Sequence, residues 1–331
     1  MSDGRPDLSV VIPLYRSAET LPVLVARLRA ALDALGRSWE IVLVDDGSPD
    51  ETWSVLGGIL GQSAEGVLAI RLMRNYGQHN ALMCGFRHAT GDVIVTMDDD
   101  LQNPPEEIPK LLRVLDETGA DVVYGLYDSK KQRRWRNAGS SVVNAFYRLV
   151  FRPGVTVSSF RAIRRPLLAC ILRYDLNFTF IDGLLAWNTQ KIAQAQVAHV
   201  PRAVGQSGYS LARLMTLAFN LLTNFSLLPL QAVTLVGLLL AGAGFVTGML
   251  FLVLYFRGEI LVPGFASTIT AILVLGGAQL IALGIFGEYL GRLHLNVNRK
   301  PQYAERERLG DSVRRGAAGP PDCAASVEAG R

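Results

Sequence analysis

The sequence contains little cysteine, little histidine and little charge. Its 331 residues include three cysteines, Cys84, Cys170 and Cys323, and four histidines. The cysteines lie far apart, without a CxxC motif or metal-binding spacing with histidine, so the sequence supports neither a disulfide framework nor a zinc site and suits a reducing compartment. Charged residues make up 19% of the chain and hydrophobic residues 50%, a balance that excludes a disordered or coiled-coil protein and argues against an ordinary soluble enzyme.

Glycine is missing where a phosphate-binding loop would need it. The apolar run Leu8–Ile12 predicts a first strand, and no glycine follows it before Gly36. The chain therefore lacks the G-x-G-x-x-G turn of dinucleotide-binding enzymes at this position, and it has no Walker A loop. This argues against NAD-dependent enzymes and P-loop ATPases.

The first 125 residues alternate short apolar runs with amphipathic segments. Segments such as Glu19–Leu35 and Pro105–Glu117 have helical spacing, whereas the runs have the length and branching of strands. The predicted strands are Leu8–Ile12, Ile41–Val44, Val67–Leu72, Val93–Met97 and Asp121–Tyr124. This alternation predicts an α/β fold with a mostly parallel, Rossmann-like sheet that has helices on both faces.

Two acidic clusters follow predicted strands of this sheet. Asp45-Asp46-Gly47-Ser48 follows the second strand, and Asp98-Asp99-Asp100-Leu101-Gln102 follows the fourth. Ligands of such sheets bind at the carboxyl ends of strands, so we expect both clusters in one cleft. Their carboxylates repel one another there unless a cation neutralises them, which predicts Mg²⁺ or Mn²⁺ with a nucleotide phosphate. Each cluster alone is also compatible with an ordinary turn.

A basic segment without acidic residues runs from Ser129 to Tyr174. It contains eleven lysines and arginines interleaved with aromatic residues, which suits an anionic partner. Nucleic acid and lipid phosphate are both candidates, and some of these charges serve only solubility. We predict lipid and no nucleic acid, because strongly apolar segments follow in the chain.

The apolar excess lies in the C-terminal half. No charged residue occurs between Arg213 and Arg257. Pro229 breaks this stretch, so we predict a cytoplasmic catalytic domain over 1–209, an interfacial amphipathic helix over 210–226 and a transmembrane hairpin over 227–290. The hairpin has spans at about 230–256 and 265–287. A cytoplasmic, largely disordered tail is predicted over 291–331, and two buried core helices are the alternative to the hairpin.

The distribution of lysine and arginine predicts the orientation of this hairpin. Five basic residues lie between the second span and residue 308, whereas the short loop between the spans offers only Arg257. By the positive-inside rule, both termini and the catalytic domain are cytoplasmic. The first ten residues have no apolar core of a signal peptide. We therefore predict a multi-pass protein of the inner (plasma) membrane.

Four motifs resemble those of the inverting family 2 glycosyltransferases with a GT-A fold. They are SVVIPLY at residues 9–15, VDDGS at 44–48, RNYGQH at 74–79 and MDDDLQNPPEE at 97–107. Within that family the chain is similar to the polyprenyl-phosphate glycosyltransferases. This group includes the bactoprenol glucosyl transferases, the dolichyl-phosphate mannose synthases and the undecaprenyl-phosphate 4-deoxy-4-formamido-L-arabinose transferases. The resemblance is closest to the last of these and covers about residues 8–303.

The resemblance implies a role for each matching residue. The base of the nucleotide contacts Asp45, and the residues implied to bind the nucleotide-sugar are Pro13, Tyr15, Glu19, Asp45, Asp46, Asp98 and Asp99. Asp98 and Asp100 form the D-x-D pair, and Asp100 and Gln102 bind the divalent metal. The acceptor phosphate is held by Arg136, Ser140 and Arg134. The implied catalytic residues are Asp98, Asp100 and Arg136.

The chain departs from the family pattern at two positions. Many relatives carry Gly-Asp before Phe-Arg, whereas this chain has Ser158-Ser159 before Phe160-Arg161. A hydroxyl thus replaces a carboxylate that is often assigned to the active site. Gly208 also stands where the nearest relatives have a lysine. Both changes fall where the sugar or the acceptor would be sensed.

The implied activity is inverting transfer of one sugar from a nucleotide-sugar, expected to be UDP-linked, to undecaprenyl phosphate at the cytoplasmic membrane face. The product would serve cell-envelope glycan synthesis or lipid A modification. A lipid phosphate is already an anion and needs no general base. Two alternatives stay open, a GDP-mannose-dependent dolichyl- or polyprenyl-phosphate mannose synthase and a non-catalytic membrane scaffold. The resemblance also implies a homo-oligomer, with a tetramer as one option.

Overall fold

The computed structural model describes residues 5–127, 156–176, 179–198, 228–257, 264–298 and 300–310. The described residues up to 198, together with 301–310, form one unit, and those within 228–300 form a second. The predicted interfacial helix over 210–226 lies outside the described residues, as do Arg134, Arg136 and Ser140.

Eight strands of the described residues form one mixed sheet. They are β1 (Leu8–Leu14), β2 (Trp39–Asp45), β3 (Val67–Leu72), β4 (Val93–Thr96), β5 (Val122–Tyr127), β6 (Arg161–Arg164), β7 (Ile192–Val197) and β8 (Glu305–Leu309). Their order across the sheet is β7-β5-β6-β4-β1-β2-β3-β8. β4, β1, β2 and β3 pair in parallel, whereas β6 and β8 pair antiparallel with their neighbours. The prediction of a mostly parallel α/β sheet is confirmed.

Helices cover both faces of this sheet. They are α1 (Leu21–Asp33), α2 (Thr52–Gln62), α3 (Gln78–His88), α4 (Ile108–Thr118), α5 (Arg165–Ile171) and α6 (Ile181–Asn188), with a 3₁₀ turn at Pro105–Glu107. Val10 and Ile12 of β1 pack in one core with α1, α2 and α4, whereas Val11 packs in the other core with α3, α5 and α6. The alternation follows the two-residue period of a strand, and β1 is buried along its whole length.

The prediction of a disordered tail is wrong for residues 302–309. β8 pairs antiparallel with β3 at the edge of the sheet. Just before it, the buried side chain of Gln302 donates hydrogen bonds to the backbone carbonyls of Tyr174 and Leu176, at 3.2 and 2.8 Å. The segment Glu-Arg-Glu-Arg-Leu has no apolar alternation, so its sequence carries no strand signal. An edge strand is held on one side only by backbone pairing, which needs no such signal.

The second unit contains two long helices, α7 (Leu228–Phe256) and α8 (Phe265–Val297). They contact each other, and the windows Val233–Leu250 and Val274–Gly291 are long and apolar enough to cross a membrane. No side chain that the structure describes in these windows is buried, which disagrees with two core helices of a soluble protein. The arrangement is consistent with the predicted hairpin, and α8 continues ten residues beyond the predicted end at 287.

Candidate active site

The carboxyl ends of four parallel strands meet at one edge of the sheet. β1 lies between β4 and β2, and β3 follows β2, so the loops after these strands are neighbours. Those loops contain Tyr15, the cluster beginning at Asp45, the segment from Arg74 to Gly77 and the cluster beginning at Asp98. This is the position at which open parallel sheets bind their ligands.

The loop after β1 is hydrogen-bonded to both acidic clusters. The backbone N–H of Arg16 donates to the Ser48 hydroxyl at 3.1 Å. On the other side, the carboxylate of Asp99 accepts a hydrogen bond from the Ser17 hydroxyl and a longer one, 3.5 Å, from the N–H of Tyr15. Arg16 has a φ of 58°, an uncommon conformation for a residue with a side chain. The two clusters therefore share one cleft, with the β1 loop between them.

Asp45 keeps one buried oxygen without a hydrogen bond. Its Oδ1 accepts from the backbone N–H of Ser48 at 3.0 Å, whereas Oδ2 accepts no hydrogen bond from any residue that the structure describes. The residue is fully buried, and Arg71 Nε lies 3.4 Å from Oδ2. A buried acceptor without a donor is rare in folded proteins and marks a position where a ligand can donate. An N–H group of a nucleotide base is such a donor.

Asp46 holds the RNYGQH loop against the cluster. Its Oδ1 accepts from the N–H of Tyr76 at 2.7 Å, and its Oδ2 accepts from the N–H of Gly77 at 2.8 Å. Burial raises the pKa of Asp46 to about 6. Both oxygens are thus engaged with backbone, and this geometry favours a supporting role. Direct contact of Asp46 with the nucleotide stays a prediction.

Gly47 allows the same loop to come close. It has a φ of +64°, and a Cβ at this position would lie 2.5 Å from the backbone carbon of Arg74. Only glycine meets both requirements, because it tolerates this backbone conformation and has no side chain to collide. The turn Asp45-Asp46-Gly47-Ser48 therefore also packs directly against the backbone of the RNYGQH loop.

Asp98 is held by two side chains from other elements. Its Oδ1 accepts from Gln78 Nε2 at 2.7 Å, and its Oδ2 accepts from the Ser159 hydroxyl at 2.5 Å. Sequence reasoning did not assign these two partners. Gln78 belongs to the RNYGQH motif, but Ser159 reaches Asp98 because β6 pairs antiparallel with β4, a pairing without a sequence signal.

The three aspartates after β4 accumulate negative charge. Burial, followed by the charge of Asp100, raises the pKa of Asp98. Burial, followed by the charge of Asp98, raises the pKa of Asp99. Asp100 accepts a hydrogen bond from the backbone N–H of Gln102 at 3.1 Å, across a turn in which Leu101 has a φ of 59°. Carboxylates that repel one another in a half-buried turn fit a divalent cation.

Two comparisons place the chain among known proteins. Residues 9–172 match the family model described as glycosyl transferase family 2. The chain is 37% identical to the undecaprenyl-phosphate 4-deoxy-4-formamido-L-arabinose transferase of Pectobacterium atrosepticum, over 309 residues that cover 92% of this chain and 94% of the relative. The transferase of the same name from Enterobacter sp. (strain 638) is 38% identical over 302 residues, 89% of this chain and 91% of that one. The chain belongs to glycosyl transferase family 2.

Among solved structures, the chain is similar to glucosyl-3-phosphoglycerate synthase from Mycobacterium tuberculosis. That protein was crystallised in complex with Mn²⁺, uridine diphosphate and phosphoglyceric acid. The sequence identity is 20% and the TM-score 0.49, over 66% of this chain and 77% of the synthase chain.

The remaining predicted residues of this glycosyltransferase occupy different environments. Pro13 lies within buried β1, whereas Tyr15 is 44% exposed at the mouth of the cleft. Glu19 is exposed in the turn before α1, and Gln102 is half-buried after the three aspartates. Arg134, Arg136 and Ser140, which are predicted to bind the acceptor phosphate, lie outside the described residues, so the described cleft contains only residues predicted for the donor and the metal.

Proposed function

We propose that this glycosyltransferase transfers one sugar from a UDP-linked donor to undecaprenyl phosphate, with inversion at the anomeric carbon. The observation that carries the proposal is the extent of similarity to undecaprenyl-phosphate sugar transferases. It spans 92% of the chain, so it includes residues of the apolar helices as well as the catalytic sheet. A soluble acceptor would not account for a similarity that continues through the apolar helices.

The donor half of the proposal rests on the cleft at the ends of β1, β2 and β4. Asp45 Oδ2 would accept a hydrogen bond from the nucleotide base, and the exposed ring of Tyr15 would pack beside it. Asp46 and Gly47 keep the RNYGQH loop in place through backbone contacts. Several polar groups of the cleft are therefore already oriented, which lowers the cost of binding.

The carboxylate of Asp100 and the side-chain amide of Gln102 would hold Mg²⁺ or Mn²⁺, with Asp98 as the other carboxylate of the D-x-D pair. A divalent ion bound there would stabilise the negative charge of the departing nucleotide diphosphate. Ser159 and Gln78 orient Asp98 by donating hydrogen bonds to its two oxygens. These side chains thus fix one carboxylate of the D-x-D pair before the donor arrives.

The acceptor half of the proposal rests on the chemistry of a lipid phosphate. A polyprenyl phosphate is an anion at neutral pH, so it needs cationic positioning and in-line approach rather than a general base. Arg134, Arg136 and Ser140 would supply that positioning from the basic segment. The two apolar helices, α7 and α8, would anchor the enzyme in the inner membrane as a hairpin, with both termini and the catalytic domain on the cytoplasmic side. The proposal includes a homo-oligomer and a role of the product in envelope glycan synthesis or lipid A modification.

The decisive experiment is transfer in a reconstituted membrane. Purified protein with undecaprenyl phosphate and Mn²⁺ is incubated with a panel of radiolabelled UDP-sugars and with GDP-mannose, and label is counted in the lipid extract. Label from one UDP-sugar supports the proposal. Label from GDP-mannose alone would instead identify a mannose synthase, and absence of lipid label from every donor would favour a scaffold.

Variants in the same assay test the roles of one residue from the donor half of the site and one from the acceptor half. Asp100→Ala and Arg136→Ala should each reduce lipid labelling by about 100-fold or more, since each removes a charge that positions or stabilises a phosphate. Asp116→Ala and Arg113→Ala, two exposed charges on α4, serve as matched controls and should label normally. Full labelling by Asp100→Ala or Arg136→Ala would overturn the role of that residue.

A further inference from the structure

A second cluster of polar side chains lies where β8 passes α3. Cys84 and His88 are four residues apart on α3 and so share one face of the helix. Glu305 begins β8 and places its Oε1 atom 2.9 Å from His88 Nε2 and 3.7 Å from Cys84 Sγ. One ligand atom from each residue lies within 4.8 Å of the other two. The cluster thus joins residues that are 217 positions apart, between His88 and Glu305.

These three side chains are the donor types that zinc prefers. Thiolate, imidazole and carboxylate bind zinc at about 2.3, 2.0 and 2.1 Å, so a tetrahedral site would separate their donor atoms by about 3.3–3.6 Å. The two observed separations, 2.9 and 3.7 Å, lie on either side of that range. Small side-chain rotations would therefore bring the three atoms to bonding distance from one ion, with a water molecule as the fourth ligand.

Burial and charge also suit a zinc ion. Cys84 is fully buried, and the side chains of His88 and Glu305 are 12% and 17% exposed. On binding, the ion replaces the thiol proton of Cys84, which leaves to solvent, so one thiolate and one carboxylate balance the two positive charges. Arg308 donates to the other carboxylate oxygen, Oε2, at 2.6 Å, and so directs Oε1 toward Cys84 and His88. Such outer contacts commonly orient metal ligands.

The cluster is separate from the candidate active site. Gln78, which contacts Asp98, is the first residue of α3, and His88 is the last. Ten residues of helix separate them by roughly 15 Å along the axis. Zinc at this position would therefore not take part in sugar transfer.

We propose that Cys84, His88 and Glu305 bind a zinc ion that fastens residues 301–310 to the catalytic sheet. β8 is a five-residue edge strand with four charged side chains, and it pairs with β3 on one side. A ligand from its first residue adds a cross-link between this strand and α3 at the point where the strand begins. The competing interpretation is that the three side chains only hydrogen-bond to one another.

The test uses the full-length protein in detergent. The protein is stripped with a chelator, supplied with zinc in excess Mg²⁺ to saturate the Asp98–Gln102 region, dialysed and analysed for bound metal. We expect about one zinc per chain, and with Co²⁺ a thiolate-to-metal charge-transfer absorption that only a cysteine ligand produces. Cys84→Ser and His88→Gln should lose both signals. The double variant Cys170→Ser/Cys323→Ser, which removes the other cysteines, should keep them.

The unfolding temperature provides a second measure of zinc binding, which compares the wild type with two different ligand variants. Saturating zinc should raise the unfolding temperature of the wild type by several degrees and that of His88→Gln and Glu305→Gln by much less, because the ion binds only the folded site. Absence of the Co²⁺–thiolate absorption in the wild type would overturn the proposal. So would retention of bound zinc by Cys84→Ser and His88→Gln, even if either variant is less stable than the wild type.

Discussion

The guanidinium of Arg71 lies beside the buried carboxylate of Asp45, with Nε 3.4 Å from Oδ2. The two residues are direct partners in the pairing of β2 with β3, and Arg71 is in turn the partner of Glu307 on β8. Arg71 Nη1 lies 3.3 Å from Glu307 Oε1, and its guanidinium lies over the ring of Trp53 at 5.8 Å. Three strands thus place one cation between the predicted base-binding aspartate and the C-terminal strand.

Arg71→Met should weaken binding of UDP about tenfold, a change of about 1.4 kcal/mol. The variant keeps a long side chain but leaves the buried carboxylate of Asp45 without its cationic neighbour, and a buried charge that loses its partner is costly. Titration calorimetry with UDP and Mn²⁺ measures the effect. Arg71→Lys should recover part of the affinity. The control is Arg27→Met, which removes an arginine paired with Glu106 on the surface and should bind UDP as the wild type does. Equal UDP affinities of Arg71→Met and the wild type would contradict the prediction.

Alanine substitutions at two glycines with nearly the same backbone conformation distinguish backbone strain from a steric clash. Gly47 and Gly36 have φ values of +64° and +61°, but only Gly47 faces the Arg74 backbone, whereas a Cβ on Gly36 would meet nothing within 4 Å. Gly36→Ala should therefore cost about 1 kcal/mol, a few degrees in unfolding temperature. Gly47→Ala should in addition displace the RNYGQH loop and abolish UDP binding.

Unfolding temperature and UDP affinity, measured on both glycine variants, check this prediction. Gly36→Ala provides the control for backbone strain alone, because its surroundings are open. UDP affinity of Gly47→Ala equal to that of Gly36→Ala would show that the loop does not depend on this close approach.

The fold was predictable because its signals are local. Five strands are evident from runs such as Ile41–Val44, since strands buried on both faces are apolar at nearly every position. The acidic clusters stand out because they follow those runs. The family assignment was confirmed for the same reason, since its motifs are contiguous in the chain.

The rest depended on pairing between distant segments. Ser159 meets Asp98 only because β6 inserts antiparallel between β4 and β5, and Glu305 meets His88 only because β8 returns to β3. Neither strand has an apolar pattern that would predict it. Arg71 likewise has no signal in the sequence, because its importance comes from its register opposite Asp45 rather than from a motif.

Asp46 should make the stability of the catalytic unit depend on pH. Burial raises the pKa of Asp46 from 3.8 to about 6, so the folded state binds this proton more tightly than the unfolded chain does. The stabilisation that this protonated carboxyl gives to the folded state is fully present below its unfolded pKa of 3.8 and is lost as pH rises through about 6. The difference between these two pKa values corresponds to roughly 3 kcal/mol. The advantage of the wild type over Asp46→Asn should therefore shrink between pH about 4 and about 7.

Thermal unfolding of both proteins across this pH range measures the difference. Asp92→Asn, which changes an exposed carboxylate, is the control and should follow the wild type. A gap between the wild type and Asp46→Asn that stays constant or widens as pH rises would refute the assignment of a raised pKa.

Ser159→Ala should increase the Mn²⁺ concentration that sugar transfer requires. The Ser159 hydroxyl donates to Asp98 Oδ2 at 2.5 Å, a hydrogen bond to a charged acceptor, which is worth about 1.5–3 kcal/mol. Without it only Gln78 holds the carboxylate, which can then turn away from the proposed metal site, so the apparent affinity for Mn²⁺ should fall about tenfold. Ser158→Ala is the matched control, because the Ser158 hydroxyl donates to the backbone carbonyl of Phe160 and not to Asp98. Titration of transfer activity with Mn²⁺ separates the two variants, and identical titration curves would show that Ser159 does not support the metal site.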